Sequence, residues 1–202
     1  MRLESGAGFL LEDRATEISF HGMGSPLALL CVDMQPAFLA AMHRGAEVSK
    51  RCAFALQASV GLGVPVVFTE QVPEKLGATA PELLQLAPDA KVFSKRTFSA
   101  LADEPTLAWL RDNGTEHILL CGLETPVCVY QTALDALQLG WQVTVLSDAV
   151  AARRPDDATS CFAALRHAGV AVLPSETVFY AMLRETTHPF FREFTRLVKQ
   201  HA

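Results

Sequence analysis

One cysteine stands where an apolar strand gives way to a helix. The stretch CGLETPVCVYQTALDALQLG, residues 121–140, places Thr125, Pro126 and then Cys128 at this junction. Thr125 suits a helix cap and Pro126 the first helical position, so Cys128 would lie in the first turn. Unpaired amides and the helix dipole stabilise an anion there, and thiols so placed can have a pKa well below the ordinary value. The segment predicts either a nucleophilic thiolate or a small core residue in a well-capped helix.

Two charged residues follow other apolar runs and could assist such a thiol. Asp33 comes directly after LALLCV, where it could act as a general base or cap the helix that Pro36 begins. Lys95 follows KVF and could hold that carboxylate ionised while adding positive potential beside the sulfur. A solvated loop lysine is the alternative, and Arg96 competes for the same role.

Apolar runs that alternate with helical periodicity must position these residues. The predicted strands are 27–32, 64–69, 91–93, 117–122, 142–147 and 170–174. The predicted helices are 46–62, 104–113, 125–139 and 155–168, several of which end at a glycine: Gly114, Gly140 and Gly169. We expect an α/β, three-layer Rossmann-like fold with helices on both faces of a mostly parallel six-stranded sheet, in the order 3-2-1-4-5-6.

That strand order would gather the candidate residues at one edge. Ligands of such folds bind outside the carboxyl ends of the strands. Strands one and four would be neighbours, which places Asp33 and Cys128 over one crevice. Strand three would lie two strands from strand one, about 10 Å away, a distance that a lysine at position 95 can span.

Composition excludes several classes of function. Of the 202 residues, 50% are hydrophobic and 19% are charged, with a net charge of −5. The basic residues are dispersed, so we expect neither a nucleic-acid partner nor a membrane partner. No apolar run is long enough to span a bilayer. Residues 1–25 are interpreted as an N-terminal appendage to a domain over 26–202. The final stretch HPFFREFTRLVKQ predicts an amphipathic helix, with Phe191, Phe194 and Val198 covering the sheet or a neighbouring subunit.

The cysteines and histidines indicate neither a disulfide framework nor a metal site. Five cysteines without framework spacing favour a reducing and therefore cytoplasmic location. We expect the other four to be structural: Cys31, Cys52, Cys121 and Cys161. The six histidines show no metal-ligand spacing, and no Gly-rich nucleotide motif is present, so the sequence predicts no metal and no cofactor.

Four segments together resemble a known family, the isochorismatase-like cysteine hydrolases. They are LLCVDMQPAF, VFTEQVPEKLGAT, KVFSKRTFSAL and LLCGLETPVCVYQTALDALQLGWQVTVLSDA, in this order along the chain. The resemblance runs from about residue 26 to the end. It is greatest to the isochorismatase domain-containing branch, whose members mostly lack an assigned substrate.

The resemblance implies a catalytic triad of Asp33, Lys95 and Cys128. It also implies a cis peptide at Leu123–Glu124, with the backbone amides of Glu124 and Cys128 as the oxyanion hole. The expected reaction is hydrolysis of a small amide or related C–N substrate through a thioester, by a homo-oligomer. The Asp-x-His motif of metal-dependent nicotinamidases is missing, and AAMHRGAE offers only His43. Predicted pocket walls are Phe38, Gln71, Leu76, Phe98, Val127 and Tyr130, any of which could instead be core.

Two other functions remain open at this stage. Family members that act on isochorismate cleave a vinyl ether and need no thiol, so their activity would survive loss of Cys128. A binding or scaffold protein could also keep the fold without useful turnover.

Overall fold

The computed structural model describes residues 26–201, so the predicted appendage over 1–25 lies outside the described residues. The strands are β1 Leu27–Val32, β2 Val66–Gln71, β3 Lys91–Lys95, β4 His117–Leu123, β5 Gln142–Ala151 and β6 Ala171–Leu173. The α-helices are α1 Pro36–Ala41, α2 Gly45–Gly61, α3 Pro73–Leu76, α4 Pro81–Leu84, α5 Glu104–Asp112, α6 Tyr130–Gln138, α7 Pro155–His167, α8 Ser175–Leu183 and α9 Phe191–His201.

The six strands form one sheet in the order 3-2-1-4-5-6, which confirms the predicted topology. All five strand pairings are parallel. Both faces are covered, so strands β1, β2 and β4 are buried along their whole length. This is why their sequences are continuously apolar and do not alternate. The carboxyl ends of β1, β2, β3 and β4 consequently meet at one edge.

Alternate residues of the strands supply two apolar cores. Leu27, Leu29 and Cys31 face one core with α2, α8 and α9. Ala28, Leu30 and Val32 face the other, which includes Cys128. The two cores arise because successive side chains of a strand point to opposite faces of the sheet.

The C-terminal helix closes the first core within the same chain. Phe194 of α9 is fully buried. Its ring lies 5.6 Å from that of Phe54 and 6.4 Å from that of Phe179, between centroids. The apolar stripe of α9 therefore packs against α2 and α8 of its own chain. These helices lie on the sheet, so α9 covers the sheet through them.

A polar network ties α2 to the far end of the sheet. Arg51 Nε donates to Asp148 Oδ2 at 2.8 Å, and its other nitrogens reach Ser175 Oγ, Glu176 and the carbonyl of His201. Asp148 also accepts from Ser175 N at 2.7 Å, at the start of α8. Arg51 thus joins four elements through one guanidinium, whose side chain is only 17% exposed.

Replacing Arg51 by Met should lower the free energy of unfolding by about 2 kcal/mol, because Asp148 would keep its charge in a half-buried site without its main partner. Arg196→Met is the matched control. Arg196 pairs with Glu193 on an exposed surface, so its loss should cost less than about 0.5 kcal/mol. Urea denaturation measures both. Equal losses in the two variants would contradict a structural role for the network.

Candidate active site

Asp33 and Lys95 form an ion pair that is shielded from solvent. Lys95 Nζ lies 2.6 Å from Asp33 Oδ2, and the two side chains are 0% and 1% exposed respectively. Asp33 directly follows β1 and has a left-handed φ of 51°, which aspartate tolerates better than most residues. Its N–H donates to Thr69 O at 3.0 Å, so the neighbouring strand end helps to fix this backbone.

Lys95 reaches the ion pair from the end of β3, two strands away from β1. Its ammonium also donates to Gln71 Oε1 at 2.6 Å and to the carbonyls of Thr97 and Phe98 at 3.1 and 3.2 Å. These acceptors replace the water that a buried cation loses. The adjacent Arg96 is exposed and pairs with Glu74, so Lys95 is the cation that faces the site.

Cys128 completes the group that the strand order was expected to gather. Its Sγ lies 3.6 Å from Lys95 Nζ, and the Asp33 carboxylate that pairs with this lysine is near enough for its charge to raise the pKa of the thiol. The residue is 6% exposed. An ammonium in contact with both a carboxylate and a thiol therefore lies at the carboxyl edge of the sheet.

The expected lowering of the pKa of the Cys128 thiol is wrong. Burial, together with the negative charge of Asp33, raises the pKa of Cys128 to about 12, and Lys95 opposes the rise without cancelling it. At neutral pH the sulfur is therefore a protonated thiol and not a free thiolate.

The start of the helix also differs from the prediction. Residues Thr125–Val129 form a π-helical turn, and the capping position is Glu124, whose side chain accepts no cap hydrogen bond. Thr125 is the first residue inside the turn and is fully buried, so it is not the cap. The wider turn places Cys128 one position deeper than expected. Its carbonyl accepts from Thr132 Oγ1 at 2.6 Å, which anchors the turn to α6.

The peptide bond Leu123–Glu124 is cis, at the position that the resemblance implied. The Glu124 carbonyl accepts from the N–H groups of Val127 and Val129, each at 3.1 Å. The Glu124 carboxylate pairs with Arg153 at 3.0 Å. The use of the Glu124 and Cys128 amides as an oxyanion hole stays a prediction.

The six predicted pocket walls occupy different environments. Gln71 touches Lys95 with its side chain, whereas Phe98 does so through its carbonyl and leaves its ring 57% exposed. Val127 and Tyr130 pack beside the core that contains Cys128. Phe38 packs against the opposite core. Leu76 is half-buried in α3. Gln71 and Phe98 are thus the two of the six that contact the ion pair.

Two polar residues that support the site were missed in the sequence. Thr69 Oγ1 donates to Asp33 Oδ1 at 2.9 Å, so the second carboxylate oxygen is also bound. Gln35 accepts from Gln71 N at 2.7 Å and donates to Gln71 O at 3.1 Å. Thr69 could have been found, because it is the polar residue that ends the otherwise apolar run 64–69. Gln35 gave no such signal.

Gly122 allows β4 to approach β1 just before the turn that carries Cys128. A Cβ at this position would stand 2.1 Å from Val32 O, and the glycine φ is +108°. Both the space and the backbone conformation therefore require glycine. The close approach brings the end of β4, and with it Cys128, over Asp33.

A parallel α/β sheet with a buried Asp–Lys–Cys group at its carboxyl edge suits a hydrolase of small molecules, and comparison with known proteins gives the family. The Isochorismatase domain matches residues 27–177, so the chain belongs to the isochorismatase family. Isochorismatase domain-containing protein 2 of Xenopus laevis is 35% identical over 181 residues, which cover 90% of this chain and 87% of that protein.

Solved structures share the fold. The MAR1 ribonuclease from Caenorhabditis elegans superimposes with a TM-score of 0.81 at 31% identity, covering 87% of this chain and 91% of that one. The YcaC gene product of Escherichia coli, described as an octameric hydrolase of unknown specificity, superimposes with a TM-score of 0.76 at 20% identity and covers 87% and 93%. Within residues 26–201, no helix combines the length and apolar character that crossing a bilayer requires.

Alkylation of Cys128 by iodoacetamide should speed up about tenfold per pH unit between about pH 7 and pH 9, without a plateau, because the thiolate fraction follows a pKa of about 12. A Cys161→Ser background removes the half-buried cysteine that would also react. Labelling must vanish in Cys128→Ala/Cys161→Ser. A rate that levels off below about pH 8 would show a thiolate already stabilised in the resting site.

Proposed function

We propose that the chain is an isochorismatase-family cysteine hydrolase that cleaves a small amide or related C–N substrate. The single observation that carries the proposal is the 3.6 Å contact of Cys128 Sγ with the ammonium of the buried Asp33–Lys95 ion pair. A thiol that served only as a core residue would need neither partner. The near-complete burial of all three side chains supports a small substrate in the proposal.

The chemistry follows from the positions of the three groups. Asp33 accepts the thiol proton as Cys128 Sγ attacks the substrate carbonyl carbon. Lys95 then faces the developing negative charge and compensates for it. Asp33 returns the proton to the leaving nitrogen, the C–N bond breaks, and ammonia or an amine departs. Water, deprotonated by Asp33, cleaves the thioester, releases the acid and restores the thiol.

Four groups hold the ion pair in place without taking part in bond formation: the side chains of Gln71 and Thr69 and the carbonyls of Thr97 and Phe98. Their role in the proposal is to keep Lys95 and Asp33 aligned on the sulfur through the charge movement. Geometry of this kind contributes to catalysis because the dipoles are oriented before the reaction begins.

A ribonuclease activity is the less favoured alternative, although a structural neighbour carries that name. Nucleic-acid binding depends on cationic groups placed against phosphates, whereas this chain has a net charge of −5 and its site cation is fully buried in an ion pair. We also infer a homo-oligomer in the cytoplasm. The octameric neighbour supports the first inference and the five unpaired cysteines support the second.

Intact-protein mass spectrometry with small primary amides and aldehydes tests the proposal. The wild-type chain should gain the mass of one acyl group or one hemithioacetal, and Cys128→Ala should gain none. Cys161→Ser is the matched control and should react like the wild type, because Cys161 lies outside the site. Asp33→Asn should slow the acylation by about 10²–10⁴-fold through loss of the base.

Three results would contradict the proposal. Adducts that persist in Cys128→Ala would place the chemistry elsewhere. Turnover of a vinyl ether that survives Cys128→Ala would identify the isochorismate-type reaction. Absence of any adduct across the panel, with folded wild-type protein, would favour a binding or scaffold role.

A further inference from the structure

Three other cysteines meet in the core on the sheet face opposite Cys128. Cys31 of β1 and Cys121 of β4 are register partners, and Cys52 projects from α2. Their Sγ atoms all lie within 4.8 Å of one another. All three residues are fully buried and belong to the apolar core that includes Leu29 and Leu119.

A fourth sulfur borders this group. Met34 Sδ lies 3.9 Å from Cys52 Sγ, and Met34 is also fully buried. The four sulfurs come from β1, β4, α2 and the turn after β1. Four separate segments thus bring four sulfur atoms close together.

Ordinary packing explains part of this arrangement. Cys52 Sγ donates to Ala149 O at 3.1 Å, so this thiol already has a partner without any ion. Burial raises the pKa of Cys52, so the resting thiols are neutral. Cysteine commonly acts as a small apolar residue in this way. Packing alone, however, does not require three thiols and a thioether to converge.

The spacing suits a soft metal ion. At a metal–sulfur distance of about 2.3 Å, three sulfurs in a plane around one ion stand about 4 Å apart. The observed upper limit of 4.8 Å is within a small side-chain adjustment of that value. Thiolate and thioether ligands favour Cu(I), zinc and iron–sulfur clusters, whereas carboxylate and carbonyl ligands suit the harder divalent ions.

Charge also favours a monovalent ion in this apolar setting. One Cu(I) that replaces one thiol proton leaves the total charge of the group unchanged. The other two sulfurs and Met34 can then act as neutral donors. A divalent ion would require two deprotonations in the core to reach the same neutrality, and the burial of the thiols resists each one.

We propose that Cys31, Cys52 and Cys121, with Met34 as a neighbouring donor, form a buried site for one Cu(I) ion. Binding forms Cu–S bonds, breaks one S–H bond and releases that proton to solvent, with no change in oxidation state. Full burial means that the ion enters through local opening of α2 over the sheet, so loading is slow. The site is separate from Cys128, and the inference does not depend on the proposed hydrolysis.

The test uses a Cys128→Ala/Cys161→Ser background, in which the three core cysteines are the only ones left. Folded protein is incubated without oxygen with Cu(I) supplied as its acetonitrile complex, and then challenged with a chromophoric Cu(I) chelator. We expect one retained equivalent per chain. Cys52→Val, which preserves an apolar side chain of similar size, should weaken retention at least about 100-fold, and Met34→Leu should weaken it less.

X-ray absorption at the copper edge of the loaded background protein tests the proposal even if Cys52→Val does not fold. Three sulfur neighbours at about 2.3 Å are expected in the loaded background protein. Nitrogen or oxygen neighbours would overturn the proposal. Retention of less than one equivalent after prolonged incubation, or equal retention in folded Cys52→Val, would also overturn it and leave the cysteines as packing residues.

Discussion

The site depends on placing two opposite charges inside the protein at the edge of a parallel sheet. A buried ion pair is stable only when further hydrogen bonds replace the lost water. Here Asp33 Oδ1 accepts a hydrogen bond from Thr69, and Lys95 Nζ donates to Gln71 and to two backbone carbonyls. The pair therefore requires the ends of three strands to be fixed relative to one another. Cys128 is brought to it by a fourth.

In the proposed mechanism, the thiol is protonated at rest and becomes reactive when its proton moves to Asp33. Burial disfavours a free thiolate, which raises the pKa of Cys128. The same burial strengthens the interaction of any charge that forms at the sulfur with Lys95. When the proton moves to Asp33, the lysine keeps an anionic partner, although that partner is now sulfur. The number of charges in the site is conserved through the step.

Much of this could be predicted from the sequence, because it depends on local signals. Continuous apolar runs identified buried parallel strands, and Gly114, Gly140 and Gly169 do adopt positive φ after their helices. Strand order then brought Asp33, Lys95 and Cys128 together. Thr125 was wrongly predicted as the helix cap, because a π-helical turn moves the start of the helix to Thr125 itself. Helix α8 was not predicted. The convergence of Cys31, Cys52 and Cys121 depends on tertiary packing, to which sequence spacing gives no guide.

A double-variant cycle on Asp33 and Lys95 tests the central interaction most directly, through free energies of unfolding. Asp33→Asn and Lys95→Met should each cost about 3–5 kcal/mol, because each leaves one buried charge without its partner. The double variant removes both charges and should lose less than the sum by about 2 kcal/mol or more. Strictly additive losses would mean that the two charges do not stabilise each other, and the account of the site would fail.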